Sequence, residues 1–387
     1  MAGIGTWDLL NQARDLSDIL STLIANKPYF INLFPRKAAA TSIKHEWLED
    51  VLKPKSVAYS AYNQSTGVFT LASGADTSGW QVGDVVRVFG DPALFKITAI
   101  TANTSVTVAF LASNGSTVDA IGDIATTGST LIFDHSPVLQ GSTQGASLFS
   151  QSGVGYNYTE IIRGDVEISN TALAVKTYGN ENTMPSQLER AMTEMGRQMN
   201  NIALFGNRAA NAPSASSAGL AGGLYYFGTQ SGGLGVAASA AALSLKLIND
   251  AAQAVLDAGG NPDTIVCGPG QARVISQLMR SQISLPPGET TRGAYANKVV
   301  SESTGQVMNV LIEPSLANID TDVWVVDSTG FGLSYLQGRE LHSEPATAPG
   351  YDGQKWTIIG EFTLEFKNAK QKLCRISGLK ASASSLS

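Results

Sequence analysis

Between residues 184 and 206, in MPSQLERAMTEMGRQMNNIALFG, apolar side chains recur at Met184, Leu188, Met192, Met195, Met199 and Ile202, with spacings of 4, 4, 3, 4 and 3. That period predicts one amphipathic helix, about 30–35 Å long at 1.5 Å per residue. Arg190, Glu194, Arg197 and Asn201 fall on the opposite face, with Arg190–Glu194 and Glu194–Arg197 at pairing distance. Thr183 or Ser186 can cap its start, since Ser186-Gln-Leu-Glu189 has capping-box spacing and Pro185 suits a first turn. Gly206 ends it. Four of the chain's seven methionines lie on this stripe. Methionine fills irregular gaps, so the stripe reads as a core face laid over a sheet, with a helix-pairing seam as the alternative. A cofactor box would need Cys or His beside the thioethers, and none is near.

Elsewhere the period shortens to two. In residues 56–135 the runs VFTLAS, DVVRVFG, FKITAI and SVTVAF are separated by Gly, Asn, Asp and Ser. Val106, Val108 and Phe110 alternate with Thr107 and Ala109. These are short strands of a small all-β unit, expected as a partly closed barrel. Residues 136–183 read as extended, and YNYTEIIRGDVEISNTALAV is strand-rich. Residues 209–240 are Ala/Ser/Gly-rich and read as a loop around LYYF. From 242 helix and strand alternate: LSLKLINDAAQAVLDAGG and PGQARVISQLM as helices, DTIVCG, VMNVLIEP and DVWVVDS as strands. QKWTIIGEFTLEFKNAKQKLCRISGL reads as long antiparallel strands. Residues 1–55 carry helical spacing at Leu16, Ile19, Leu20, Leu23 and Ile24 before Pro28, but no compact core.

Composition narrows the class. The chain is 43% hydrophobic and only 15% charged, with 39 glycines, which suits a subunit that hides surface against other chains. Its net charge is −6 and no Lys/Arg block stands out, so tight phosphate binding has no footprint. Cys267 and Cys374 form no CxxC and fall inside apolar strands, where they pack as small hydrophobes. The N-terminus lacks the pattern of a secretory signal, and no apolar run reaches membrane-spanning length.

No catalytic constellation assembles. His45-Glu46 begins like HExxH, but position 49 is Glu, so the pair flanks a packing Trp47. Three histidines, His45, His135 and His342, lie in three separate regions. There is no P-loop, and GSTQG at 141–145 has Thr143 where a nucleophile elbow has Ser. Glu46, Glu49 and Asp50 could do acid–base work, but read better as a solvated or paired face. The expectation is no enzyme, no cofactor and no metal.

In order along the chain, DLSDIL, IKHEWLEDVLKP, VGDVVRV, YNYTEIIRGDVEISNTALAVKTYGN and LERAMTEMGRQMNNIALFGN resemble the major capsid proteins of tailed phages. Within these they resemble the branch related to the major head protein of a Sphingobium-type phage. HEWLED at 45–50 and YNYTEII…ALFGN at 156–207 are the most specific segments. The resemblance implies an α+β Hong Kong-type phage capsid fold. Its parts would be an N-terminal arm at 1–45, an E-loop at 46–55 and 136–165, and a β-barrel-like insertion in that loop at 56–135. A peripheral domain would take 166–235 and 336–380 with a spine helix at 184–205, an axial domain 236–335, and a flexible tail 381–387.

Leu188, Met192, Met195, Met199 and Ile202 would be the spine-helix core, facing the subunit's own sheet. Glu46, Trp47, Asp50, Tyr156, Tyr158 and Arg163 would be assembly residues of the E-loop. The implied partners are other copies, in pentamers and hexamers of a shell; packaged double-stranded DNA by weak contact only; and decoration, scaffolding and portal proteins; no membrane. The implied location is the virion, assembled in the host bacterial cytoplasm. No cleavage of the N-terminus is expected, because too few residues precede HEWLED for a folded scaffolding domain. No Lys–Asn crosslink in the E-loop is expected either. An encapsulin-like compartment housing an enzyme is the alternative role for the same fold.

Overall fold

A computed structural model describes residues 29–49, 55–115, 127–138, 153–175, 184–230, 233–279, 297–302 and 305–381. The expected arm helix before Pro28, Thr183 as a cap, Asp50 and the tail from 382 lie outside the described residues.

The chain enters as a 3-10 turn, Phe30–Leu33, and then forms β1 (Lys44–Glu49). β2 (Ser56–Asn63), β3 (Val68–Leu71), β4 (Val85–Val88), β5 (Leu94–Thr101), β6 (Ser105–Ala112) and β7 (Thr127–His135) follow. They close fully into a barrel in the order β2-β3-β6-β5-β4-β7, rather than partly. Closure leaves no free edge, and the alternating inward residues Val57, Tyr59, Phe69, Val86, Phe95, Ile97, Val106 and Val108 fill the interior. The chain returns as β8 (Gly153–Tyr158), antiparallel to β1, and runs into β9 (Glu160–Ser169).

After α1 (Asn170–Ala174) comes α2 (Met184–Phe205). Ser186 lies inside α2 and caps nothing, because the helix already starts at Met184. Residues 224–227, read as loop, form α3 (Leu224–Gly228), whose Leu224 and Phe227 are buried. The tertiary core supplies what a five-residue helix lacks on its own.

The rest builds two sheets. β10 (Leu234–Ala237), α4 (Leu245–Asp257), β11 (Thr264–Cys267), α5 (Pro269–Leu278), β12 (Lys298–Val300), β13 (Val307–Ile312) and β14 (Val323–Val326) belong to the first layer. β15 (Phe331–Tyr335), β16 (His342–Pro345) and the 14-residue β17 (Gly353–Phe366) form the second, with β9 on the other side of β17. α6 (Ala369–Lys372) then carries the chain back, and β18 (Leu373–Ser377) inserts between β10 and β14.

The sheets therefore divide differently from the sequence-based boundaries. Residues 373–377, assigned with 336–380, and 234–235, assigned with 166–235, lie in the six-stranded sheet. Residues 331–335, assigned with 236–335, lie in the β17 sheet, and β9 leaves the ribbon already at Glu160. Hydrogen-bond partners decide sheet membership, and a linear cut cannot follow a chain that crosses between sheets.

Alternation along the six-stranded sheet separates two cores. Ile265, Cys267, Val323, Val325, Cys374 and Ile376 meet α4 and α5. Val266, Trp324, Val326 and Leu373 face the aromatic core made with Phe30, Phe34, Phe331, Phe362 and Phe366. Burial pushes both thiols, Cys267 and Cys374, up to about 12, so they stay neutral packing groups.

α2 lies on β9, with the Met195 thioether over Gly164. Met195 and Met199 are buried, Leu188 and Ile202 half-buried against the same core, and Met192 is 37% exposed. This corrects the expected stripe. Stepping back 3.6 residues at a time from Met195 lands near positions 191 and 188, and Ala191 rather than Met192 packs inward.

Gly228 sits against the Trp324 ring, where any Cβ would overlap it. Gly228→Ala is expected to destabilise the fold by about 1–3 kcal/mol in denaturant unfolding. Gly235→Ala is the control, because its nearest neighbour would be the Arg375 carbonyl oxygen at 3.8 Å. Equal midpoints for the two variants would count against this packing.

Candidate assembly site: the ribbon and its anchorage

β1 and β8 pair in a single register from Lys44↔Tyr158 to Glu49↔Gly153. The two-residue period sorts the side chains onto two faces. His45, Trp47 and Glu49 share one face with Asn157, Gly155 and Gly153. Lys44, Glu46 and Leu48 share the other with Tyr158, Tyr156 and Val154.

The first face is bonded to the body. Trp47 is 6% exposed and lies directly over Gly155, where a side chain would overlap the indole. Its Nε1 donates to Glu49 Oε1 at 2.7 Å. The same oxygen accepts the Asn368 backbone N–H at 2.9 Å. His45 Nε2 lies 2.6 Å from Glu365 Oε1, and Lys367 Nζ is 3.1 Å from the other oxygen. Asn157 is fully buried. Its amide donates to the Leu364 and Gly222 carbonyls at 2.8 and 3.1 Å, and its oxygen accepts the Gly222 N–H at 2.8 Å. Thr159 donates to Glu361 at 2.6 Å, and Glu361 pairs with Arg339 at 2.9 Å. Glu160 accepts the Ala221 N–H at 2.9 Å, and burial raises its pKa.

The second face is clamped by cations. The Tyr156 ring has Lys44 Nζ at 4.3 Å and the Arg208 guanidinium at 3.9 Å, and Arg208 also reaches the Tyr226 ring at 5.0 Å. Arg208 donates to the Tyr156 carbonyl at 2.9 Å, and Glu46 pairs with Lys44. Tyr158 is buried edge-on to Tyr156. Beyond this clamp the cross-strand pair Leu48 and Val154 is open to solvent, 73% and 58% exposed.

The segment entering the ribbon is pinned as well. Buried Glu313 accepts the Phe30 and Tyr29 N–H groups at 2.9 and 3.3 Å, and Asn200 accepts that of Ile31 at 2.9 Å. Lys37 and Ala40 then donate along β15, to the Leu333 and Tyr335 carbonyls.

Of the assembly residues expected from sequence, Glu46, Trp47, Tyr156 and Tyr158 meet on the ribbon. Arg163 does not join them. It lies on β9, bonded to Asp165 at 3.0 and 3.2 Å, and the hydrogen bond from Thr357, with Arg163 next, pulls Asp165 down to about 2. Asp50 lies outside the described residues. Sequence reasoning missed Asn157, Arg208, Glu361 and Glu365. A signal for the last two existed: in GEFTLEF the polar residues Glu361, Thr363 and Glu365 alternate with Phe362, Leu364 and Phe366. Among the described residues no cluster of three or more His, Cys, Asp or Glu could hold a metal, and no helix is long and apolar enough to cross a membrane.

The family model of the SU10 major capsid protein matches residues 4–380. Among solved structures, the capsid chain of an empty GTA particle aligns with a TM-score of 0.51 at 9% identity, covering 95% of this chain and 95% of that one. A chain from Mycobacterium phage Adephagia aligns at 0.49 and 10% identity, over 97% and 98%. The holo-SrpI encapsulin complex of Synechococcus elongatus PCC 7942 aligns at 0.42 and 8%, over 59% and 78%. No curated protein matches the sequence.

Glu365 is held below its ordinary range by the His45 hydrogen bond first and by Lys367 next, against the effect of burial. In the unfolded chain it takes up its proton near 4.5, so its stabilisation is present above that pH and is lost as pH falls through the lowered folded value. Glu365→Gln should cost about 1–3 kcal/mol at pH 7, and the difference from wild type should shrink below about pH 4.5. Thermal unfolding from pH 7 to pH 3 checks this; a difference that does not change with pH would contradict it.

Proposed function

The chain belongs to the SU10 major capsid protein family, and we propose that it assembles as pentamers and hexamers into an icosahedral shell around the double-stranded DNA of a tailed phage. A major capsid protein is a structural component of the virion, and its work is self-association. The single observation that supports the reading best is the ribbon. One face is bonded to the body out to Glu49, while on the other face Leu48 and Val154, past the Tyr156 clamp, stand open to solvent. A rigid ribbon with one open apolar pair suits an element whose last contact is another subunit.

In this reading β1 and β8 are the E-loop, the barrel is inserted in it, and α2 is the spine helix. The peripheral domain comprises α2, β9 and β15–β17, and the axial domain β10–β14 and β18 with α4 and α5. Leu48 and Val154 seat on a neighbouring copy, Glu46, Trp47, Tyr156 and Tyr158 hold the ribbon for that contact, and Arg163 meets a neighbour on the open sheet face. In this reading the chain's work is structural, and the residues weighed above for acid–base chemistry hold the ribbon: His45 bonds to Glu365, and Glu49 to Trp47 and Asn368. The net charge of −6 favours weak contact with packaged DNA, because a lining that repels phosphate slightly lets the duplex slide. Scaffolding, portal and decoration proteins complete the partner set, and assembly takes place in the host bacterial cytoplasm.

Negative-stain microscopy of the purified full chain should show closed shells. Leu48→Asp with Val154→Asp should give unassembled chains with an unchanged melting temperature. Shells from the double variant would show that the ribbon is not the seam. Particles from infected cells should protect DNA from nuclease; an enzyme cargo without DNA would favour the encapsulin-like role instead.

A further inference from the structure

Between the C-terminal half of α2 and a 3-10 turn, Pro314–Asn318, lies a cleft of about 290 Å³. Its walls are Arg197, Asn200, Asn201, Phe205, Ser315 and Asn318. Among these described residues five are polar and none is a carboxylate.

The spacing builds the cleft from both sides. Arg197, Asn201 and Phe205 recur every four residues, so they stack on one side of α2 with Asn200 beside them. Ser315 and Asn318 are three residues apart in a 3-10 turn, where such positions eclipse. Leu316 between them is fully buried in the aromatic core, which turns the two polar side chains to the cleft. Glu313 caps the turn by accepting the Ser315 N–H at 3.2 Å.

Asn200 is the built part of the site. It is 1% exposed, and its Oδ1 accepts the Ile31 N–H at 2.9 Å. That bond fixes which way the amide points. Its Nδ2, a donor of two N–H groups, has no partner among the described residues and lies on the cleft wall. A buried donor is costly unless something accepts from it.

The charges around the cleft favour an anion. Arg197 is the charged residue among those that line it. Its Nη1 donates to Glu194 Oε2 at 2.6 Å, one turn back and outside the lining. A guanidinium carries several further N–H donors, and these stay available. The Glu313 carboxylate beside the turn is already taken up by the N–H groups of Tyr29, Phe30 and Ser315.

We propose that this cleft binds a phosphate group, held by Arg197 and the Asn200 amide on one wall and by Ser315 and Asn318 on the other. A tetrahedral oxyanion presents acceptors in several directions, which suits donors converging from two walls, and charge-assisted bonds from Arg supply the pull. Free phosphate and the backbone phosphates of DNA share this chemistry. A single cation on the wall and a net charge of −6 keep the binding weak. The site stands without the shell reading; only DNA as its source rests on that reading.

The test is a titration of inorganic phosphate with the purified full chain at constant ionic strength, read by phosphorus NMR line broadening. The broadening should saturate. Arg197→Gln and Asn318→Ala should each weaken binding, the first at least fivefold. Glu194→Gln, which frees the guanidinium, should tighten it at least twofold. Arg190→Gln and Glu189→Gln make the same charge changes at exposed positions of α2 outside the cleft and should leave it unchanged. Thermal melting checks that each variant is folded. Broadening that never saturates, equal effects of the Arg197 and Arg190 variants, or wild-type binding by folded Arg197 and Asn318 variants would overturn the proposal. A short DNA duplex then identifies the source. Loss of the phosphate broadening assigns the cleft to DNA backbone, unchanged broadening assigns it to free phosphate, and either result upholds the site. If the chain forms no shells, the shell reading fails and this titration still decides the cleft.

Discussion

Strand β17 is buried on both faces over its last turns, and the two faces have opposite chemistry. Phe362, Leu364 and Phe366 point into the aromatic core, while Glu361, Thr363 and Glu365 point the other way and are equally hidden. A buried carboxylate is costly unless it is paired and hydrogen-bonded. Of the groups that pair with these two, Thr159 and His45 come from the distant ribbon, and Arg339 and Lys367 from nearer the strand. The ribbon can therefore leave the body in only one way, because any other placement strands a charge.

The same constraint reaches the joint between the two sheets. After β17 the chain turns at Asn368, in the left-handed region at φ +54, and crosses through α6 into β18. Asn tolerates that conformation better than most residues. The N–H of Asn368 is held by Glu49, whose carboxylate also takes the Trp47 indole N–H. One ribbon side chain thus fixes the crossover that ties the six-stranded sheet to the β17 sheet. Ribbon direction and sheet packing are mechanically linked, a useful property for a subunit that must present the same contacts many times over.

Apolar burial supplies most of the stability, and the polar contacts supply geometry. The aromatic core around Trp324, Phe331 and Phe366 would tolerate several arrangements of similar volume. The bonded seam would not, since each of its members has a direction as well as a size. Buried Glu313, accepting the N–H groups of Tyr29 and Phe30, extends the same device to the entering segment.

Local periodicity carried much of the architecture. The 3.6-residue period announced α2, a Gly stop and a Pro start marked α4 and α5, and alternation announced strands of the barrel, while the wholly buried β11 and β14 showed only as short apolar runs. The ordered motifs from HEWLED to ALFGN carried the family. Tertiary structure decided the rest. Ala191, not Met192, faces the sheet, since small residues leave no mark in a count of large apolar ones. Residues 224–228 became a helix only because a core was waiting for Leu224 and Phe227. β18 left its sequence neighbour for the other sheet, a choice made by backbone pairing rather than by side chains. The buried acids of GEFTLEF went unnoticed in sequence, since alternation says which side a residue faces but not whether that side meets water. Only the ribbon folding back over them turned a polar face into a buried one.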